Sequence, residues 1–444
     1  MATIAERYRE LHPKSNQLFE EAKDLFPDGV THDTRHVTPF PLYATHGFGP
    51  RKWDVDGNEY VDYVMGHGAL LLGHSHPAVV QAVTEQLSKG THLGASHELE
   101  LRWAKLVTRL IPSAEKVRFT SSGTESTLMA LRLARAYTGK DKVIKFNDHF
   151  HGWHDYVLAG SDRSAAGVPA ATWSTMIVLE PNDIDLVEAT LKHDNDIAAI
   201  ILEPTGAHMG VSPVYPSFLK ELRALTKTYG VVLIFDEVVT GFRSSPGGVQ
   251  ARYDVTPDLT SMAKILGGGL PGGGVTGSTE ILDMIQHRED PDWDNVNRIA
   301  HPGTFNANPL TAVAGSTALE LVATTNANAQ ADAMARRLKD GLNNLLAQME
   351  IPGCANGVAS LVHITLGVPH ECTGDICQLD HQQIRASMPR LKNEALKRSL
   401  INAGVDPMGG RTLIISATHT EREIDFTIGA YEEALQAMRV EGFI

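Results

Sequence analysis

From about residue 76 to residue 309 the chain repeats one pattern: a short apolar run, a polar or glycine-bearing turn, then an amphipathic stretch with helical spacing. The plainest runs are 116–119, Lys142–Phe146, Ile197–Leu202 and 231–235, each of strand length. A strand that is apolar on both faces must be covered on both faces. That requires a mostly parallel sheet with helices packed over it.

Outside this region the pattern changes. The N-terminal residues keep helical spacing to about Phe26 and stop at Pro27-Asp28-Gly29. Lys52 to Asn58 reads as a hairpin turning on Asp56-Gly57. After Ala312 a long helical stretch runs to about Met349, and strand-like Leu361–Leu366 and 412–416 lie between further helices. The expected organisation is therefore α/β: a large domain over 76–312 built on a mostly parallel sheet, and a smaller α+β domain over 313–444. The N-terminal segment, 1–75, is expected to pack with the small domain.

Composition narrows the class of partner. The 444 residues carry a net charge of −14, which disfavours nucleic acid or an anionic membrane as the main partner, since both need basic patches. No apolar run reaches eighteen residues, so no spanning helix is expected. Charge is mixed through the first 26 residues, with no apolar core of a secretory signal. Cys354, Cys372 and Cys377 have no CxxC spacing. They read as reduced thiols of a cytoplasmic protein, and not as a metal site or a disulfide frame.

In open parallel sheets, ligands bind beyond the carboxyl ends of the strands. After 116–119 comes Thr120-Ser121-Ser122-Gly123-Thr124-Glu125 and then a helical pattern. Small hydroxyl residues and a glycine at a helix start offer free N–H groups to a phosphate; a plain N-cap with Glu125 in the first turn is the other reading. Asp236 closes the run 231–235 and must be paired or solvated. Lys264 lies in apolar, glycine-rich Ser261-Met262-Ala263-Lys264-Ile265-Leu266-Gly267, where desolvation favours the neutral, nucleophilic amine. A lysine, an anion for a pyridine nitrogen and a phosphate cup together specify a pyridoxal 5′-phosphate (PLP) site.

These residues lie in segments that resemble the class III (subgroup II) aminotransferases, PLP-dependent transferases of fold type I. The segments are WDVDGNEYVDYV, LGHSHPAVVQAV, VRFTSSGTESTLMALRLARAYTGKDKVIKF, IILEP, VVLIFDEVVTGFR, PDLTSMAKILGGGLPGG and HPGTFNANPL. The resemblance implies Lys264 as the Schiff-base lysine and the base that moves the Cα proton, with Asp236 facing the pyridine nitrogen. It implies Ser122, Gly123 and Thr124 around the phosphate, Phe150 stacked on the ring before His151-Gly152, and Val238 on the opposite face. Glu203 and His208 join the cofactor set, His208 near the phenolic oxygen. Thr304 is similar to the threonine that reaches the phosphate held by a second copy, which implies a homodimer with shared active sites.

Within the family the chain resembles the glutamate-1-semialdehyde aminomutase group. Arg35 stands where that group binds the substrate carboxylate, but His67 replaces a tryptophan, His208 an asparagine and Arg411 an acidic residue. The gating loop is altered around 160–168. Other strings, PDGVTHDTR, GHGALLLGHSHP, HGWHD and EPTGAHMGV, are similar to D-phenylglycine aminotransferases. The implied reaction is transfer of an amino group from a D-arylglycine or related aromatic amino acid to a 2-oxo acid such as 2-oxoglutarate. An aminomutase, or an aromatic β-amino acid or amine transaminase, is the alternative. Arg35, His67 and Arg411 are the expected substrate-binding residues, and Arg243 reads as either a carboxylate ligand or a buried structural cation. The histidines of His149-Phe150-His151-Gly152-Trp153-His154 lack an i, i+4 pair and a supporting Cys or carboxylate pattern, so no metal site is expected.

Overall fold

The computed structural model describes residues 2–158, 165–369 and 375–444. Residues 160–164 of the altered gating loop, and Cys372, lie outside them. The chain divides into two compact units, Pro77–Asn326 and Met1–His76 with Ala327–Ile444.

The unit Pro77–Asn326 holds a seven-stranded sheet. Its strands are β1 (Lys116–Thr120), β2 (Lys142–Phe146), β3 (Met176–Leu179), β4 (Ile197–Leu202), β5 (Val232–Asp236), β6 (Leu259–Ala263) and β7 (Gly273–Gly277). They lie in the order β1-β7-β6-β5-β4-β2-β3. Only β7 runs antiparallel to its neighbours, so the sheet is mostly parallel. Every residue of β4, β5 and β6 is buried, as doubly apolar strands require. One face packs on helix α1 (Gly123–Thr138), whose Leu131, Leu133 and Ala134 join Ile201, Ile234 and Val275 in one core. On the other face Phe218, Leu219 and Leu222 close over Ile200, Leu233 and Phe235.

The helical stretch expected to run from Ala312 to Met349 is two helices, α2 (Pro309–Thr324) and Ala327–Gln348, and the division between units falls between them. The large unit thus extends past the expected boundary at 312. Helix α2 is buried along most of its length against helices Pro77–Leu87 and Glu98–Leu110 and against the turn that begins at Lys264. It is core to the sheet unit, which explains why it does not leave with the smaller one.

The other unit is α+β. Its four-stranded sheet joins Ala44–Phe48, Arg51–Asp54, Glu59–Asp62 and Val405–Asp406, and a three-stranded antiparallel sheet joins Gly353–Asn356, Leu361–Leu366 and Thr412–Ile414. The hairpin turns at Asp56-Gly57, where the Asp54 carboxylate accepts from the amides of Asp56 and Asn58. The first helical stretch is broken into Ile4–Leu11 and Pro13–Lys23. Pro13 has no N–H and its ring clashes with the preceding turn, so the chain restarts there. Cys354, in Gly353–Asn356, is disulfide-bonded, which corrects the reading of three reduced thiols; Cys377 is buried and forms no disulfide. Pairing follows closeness in space, and spacing along the chain does not report that. No helix among the described residues is long and apolar enough to cross a membrane.

Candidate functional site

Five segments that follow the carboxyl ends of β1, β2, β4, β5 and β6 carry the expected cofactor residues of the sheet unit. Asp236 ends β5, and its buried carboxylate is held from both sides. Oδ2 lies 2.8 Å from His151 Nδ1, and Oδ1 accepts from the Val238 amide at 3.1 Å. Since a carboxylate accepts, the imidazole donates from Nδ1, and burial keeps His151 below the usual imidazole range despite the acid. The neighbouring Glu237 is a structural acid: Thr240, Val249 and Gln250 supply four donors to its buried carboxylate.

The Ser122 hydroxyl caps α1 by accepting from the Glu125 amide, and the Glu125 carboxylate accepts from the Ser121 amide at 2.6 Å. The N-cap reading is therefore correct. The first-turn amides of Gly123 and Thr124 have no carbonyl before them in the helix and remain available to an anion. Gly123 is required by close approach, because a Cβ there would stand 2.9 Å from Val238 Cγ1. The helix start and the loop after Asp236 thus touch, leaving backbone at the cup's floor.

Lys264 follows β6, which pairs with β5 in register Ser261↔Asp236. Its φ of +53° lies in the left-handed region, a strained setting of the kind found at functional sites. Burial pulls its pKa below the usual lysine value, while the charges of Asp236 and Glu203 oppose the shift. A half-buried amine in this environment has the character a carbonyl-trapping nucleophile needs.

Glu203, just past β4, ties two loops together. Its Oε1 accepts from the amides of Phe150 (2.8 Å) and His208 (3.1 Å), and its Oε2 from the amide of Met209 (2.9 Å). Burial pushes this carboxyl up to about 8, and the Asp236 charge adds to the shift. Both carboxylate oxygens thus face backbone, which makes Glu203 a clamp for Phe150 and His208. Phe150 keeps 36% of its surface exposed.

Sequence reasoning gave no role to Lys145 and His149. Lys145 is fully buried on β2, donates to the Val157 carbonyl at 2.8 Å, and is pulled down to about 8 by burial. His149 Nδ1 accepts from the Glu203 amide at 2.9 Å. The three histidines of 149–154 turn to three partners, Glu203, Asp236 and Thr127. A lysine in the middle of an apolar strand was the available signal for the first; nothing in the spacing marked the second.

Thr304 is exposed, with its carbonyl accepting from His92 Nε2 at 2.6 Å. Arg35, His67 and Arg411 belong to the other unit. There Arg35 and His67 line one cavity, and the Arg411 guanidinium donates to the Ile384 carbonyl at 3.4 Å. Arg243 is fully buried. For the implied cofactor the sheet unit offers a fixed anion, a half-buried amine, free first-turn amides and an aromatic ring, all carried on strand ends; these residues fit PLP.

Comparison with known proteins agrees. Residues 33–381 match the aminotransferase class-III family. The chain is 37% identical over 430 residues to a glutamate-1-semialdehyde 2,1-aminomutase from Sulfurisphaera tokodaii, covering 95% of this chain and 99% of that one. Its structure is similar to that of an omega-transaminase from Sphaerobacter thermophilus, with a TM-score of 0.88, 34% identity, and coverage of 97% and 99%. It is also similar to a β-phenylalanine aminotransferase from Variovorax paradoxus, with a TM-score of 0.83, 28% identity, and coverage of 98% and 97%. The chain belongs to the class-III aminotransferases and is a pyridoxal 5′-phosphate-dependent enzyme.

Proposed function

We propose that the protein is a transaminase that moves the amino group of an aromatic amino acid, of the D-arylglycine class, to a 2-oxo acid such as 2-oxoglutarate. The observation that carries this reading is Asp236, a buried carboxylate fixed by His151 and Val238 on the strand beside the one that delivers Lys264. Bound PLP supplies the electron sink that stabilises negative charge at the substrate Cα. Lys264 holds the cofactor and, once released, takes and returns the Cα proton. Asp236 keeps the pyridine nitrogen protonated, and the Ser122, Gly123 and Thr124 segment grips the phosphate. Phe150 and Val238 cover the ring faces, with His151, Glu203 and His208 positioned around them. Arg35, His67 and Arg411 serve the substrate.

The enzyme works as a homodimer in the cytoplasm, with Thr304 of one copy reaching the phosphate held by the other. Support comes from the exposed apolar side chains beside that threonine, Phe305 at 61% and Leu93 at 49%. The second reading, an aminomutase, draws on the relative from Sulfurisphaera tokodaii.

The test is the visible spectrum of the PLP-loaded protein during addition of D-phenylglycine, L-glutamate or an aromatic β-amino acid. Bleaching by D-phenylglycine, restored by 2-oxoglutarate, is the expected result. Bleaching by the β-amino acid alone would reassign the donor, and turnover of glutamate 1-semialdehyde without any added oxo acid would favour the aminomutase.

A further inference from the structure

Three buried imidazoles, His149, His151 and His154, follow β2 in the sheet unit. Each uses one ring nitrogen on the protein. Among the described residues the other nitrogen has no partner: Nε2 of His149, Nε2 of His151 and Nδ1 of His154. A buried polar atom left in this state costs about 1–3 kcal/mol, so three of them in one loop call for a shared partner.

The bonds already made fix which of these nitrogens carries a proton. His149 Nδ1 accepts from the Glu203 amide at 2.9 Å, so the neutral ring has its proton on Nε2. His151 donates to Asp236 from Nδ1 at 2.8 Å, so its Nε2 is bare. The Thr127 hydroxyl gives its single proton to a carbonyl, that of His151 lying nearest at 2.6 Å. His154 therefore donates to Thr127 from Nε2 at 3.3 Å, which leaves its Nδ1 bare as well. Burial holds all three rings below the usual imidazole range, and the charge of Lys145 adds to the shift in each, so they are neutral at neutral pH.

Lys145 completes the set. It is fully buried on β2 and its ammonium has three protons, of which the Val157 carbonyl takes one at 2.8 Å; among the described residues it has no other acceptor. The cluster thus presents two donors, Lys145 Nζ and His149 Nε2, and two acceptors, His151 Nε2 and His154 Nδ1. Water is the ligand that accepts two bonds at its oxygen and donates two. A metal ion would face an ammonium and a ring N–H, and an anion would face two bare ring nitrogens. The ring centres of His149 and His151 stand 6.0 Å apart, a gap that two hydrogen bonds of about 2.9 Å each can span.

We propose that one buried water joins Lys145, His149, His151 and His154, and that through it Lys145 is a positioning residue for Asp236. By donating to the water, the ammonium turns the water's hydrogens onto His151 Nε2, which keeps the His151 proton on Nδ1, facing Asp236. The proposal rests on the reading above in which Asp236 faces the pyridine nitrogen of PLP. It gives a part to a buried charge that the proposed reaction does not otherwise use.

The test begins with a crystal structure of the PLP-loaded protein at a resolution that orders water. One water peak within about 3.2 Å of Lys145 Nζ and of the three ring nitrogens is expected. The second measurement is the pH midpoint of the visible band of the loaded protein, in wild type and in Lys145→Met, which keeps a side chain of similar length without the charge or the donors. Without the ammonium, His151 can take a second proton at Nε2, and Asp236 then shares its charge with an imidazolium. The midpoint should rise by about one pH unit, a tenfold change in proton affinity. The other titratable groups facing the cluster, Asp148, Glu203, Asp236, Arg135 and His208, are unchanged in this variant. Lys145→Gln, which keeps a donor without the charge, should shift the midpoint by less, and it serves also where Lys145→Met does not fold. Loss of packing alone would lower the urea midpoint and leave the band where it was. Absence of the peak, a peak bonded to fewer than three of the four groups, or an unshifted midpoint would overturn the proposal. The peak and the shift in a protein whose band no amino donor bleaches would instead overturn the proposed reaction and leave the water assigned.

Discussion

His151 Nδ1 stands 2.8 Å from Asp236 Oδ2, and both side chains are buried. The imidazole is therefore part of what holds the carboxylate in place. Replacing His151 with alanine leaves a buried carboxylate oxygen without its donor, at a cost of about 1–3 kcal/mol. Urea unfolding of the variant should show a loss of that size. Its kcat should fall by about 10²–10³ through weakened electrostatic support, while the cofactor remains attached. An unchanged kcat would separate the pair from the chemistry.

Glu203 accepts three backbone donors from two different loops. Glu203→Ala removes the acceptor that the amides of Phe150, His208 and Met209 share, and should destabilise the protein by about 1–3 kcal/mol. Glu203→Gln, which retains one acceptor oxygen, should lose less. The distinguishing readout is the equilibrium constant for PLP: a clamp on Phe150 predicts that the alanine variant holds the cofactor more weakly by tenfold or more, on the order of 1.4 kcal/mol. An alanine variant with normal PLP affinity would leave Glu203 a purely structural residue.

Acid should unfold the protein through buried histidines. Burial holds His419 down to about 4 and His154 to about 3, against an ordinary 6.5. Their folded-state values lie below those of the unfolded chain, which therefore takes up these protons first. The stability they contribute is fully present above about pH 6.5 and is lost as pH falls toward those values, at up to about 1.4 kcal/mol per group per pH unit. Urea midpoints measured between pH 7 and pH 4 should decline steadily, and His419→Gln should flatten the decline. A midpoint insensitive to pH over this range would contradict the account.

What could be read from the sequence was what hydrophobic pattern and local chemistry determine. The strands Lys142–Phe146, buried beyond Lys142, and Ile197–Leu202, buried throughout, appear at the expected residues because doubly apolar runs of that length have few other uses. Asp236 and Lys264 stood out as charges in apolar surroundings. The strand Gly273–Gly277 did not: its glycines carry no hydrophobic pattern and are there because neighbours crowd them, a Cβ at Gly273 falling 2.3 Å from the Ser122 carbonyl. The break at Pro13 was legible in principle and outweighed by helical spacing on either side. The left-handed turn at residues 65–68 was not legible, since Asp62, Lys52 and His74 impose it from other elements. Nor was the buried pairing of Lys145 with a carbonyl, which depends on where Val157 returns to the sheet.

The central claim is that Lys264 holds the cofactor. Incubation with PLP, reduction with borohydride and peptide mass mapping test it most directly, because reduction makes the linkage permanent where it stands. A single pyridoxyl adduct on the peptide containing Lys264, absent from Lys264→Ala, is the expected result. An adduct at Lys145 or another lysine, or no adduct at all, would contradict the account.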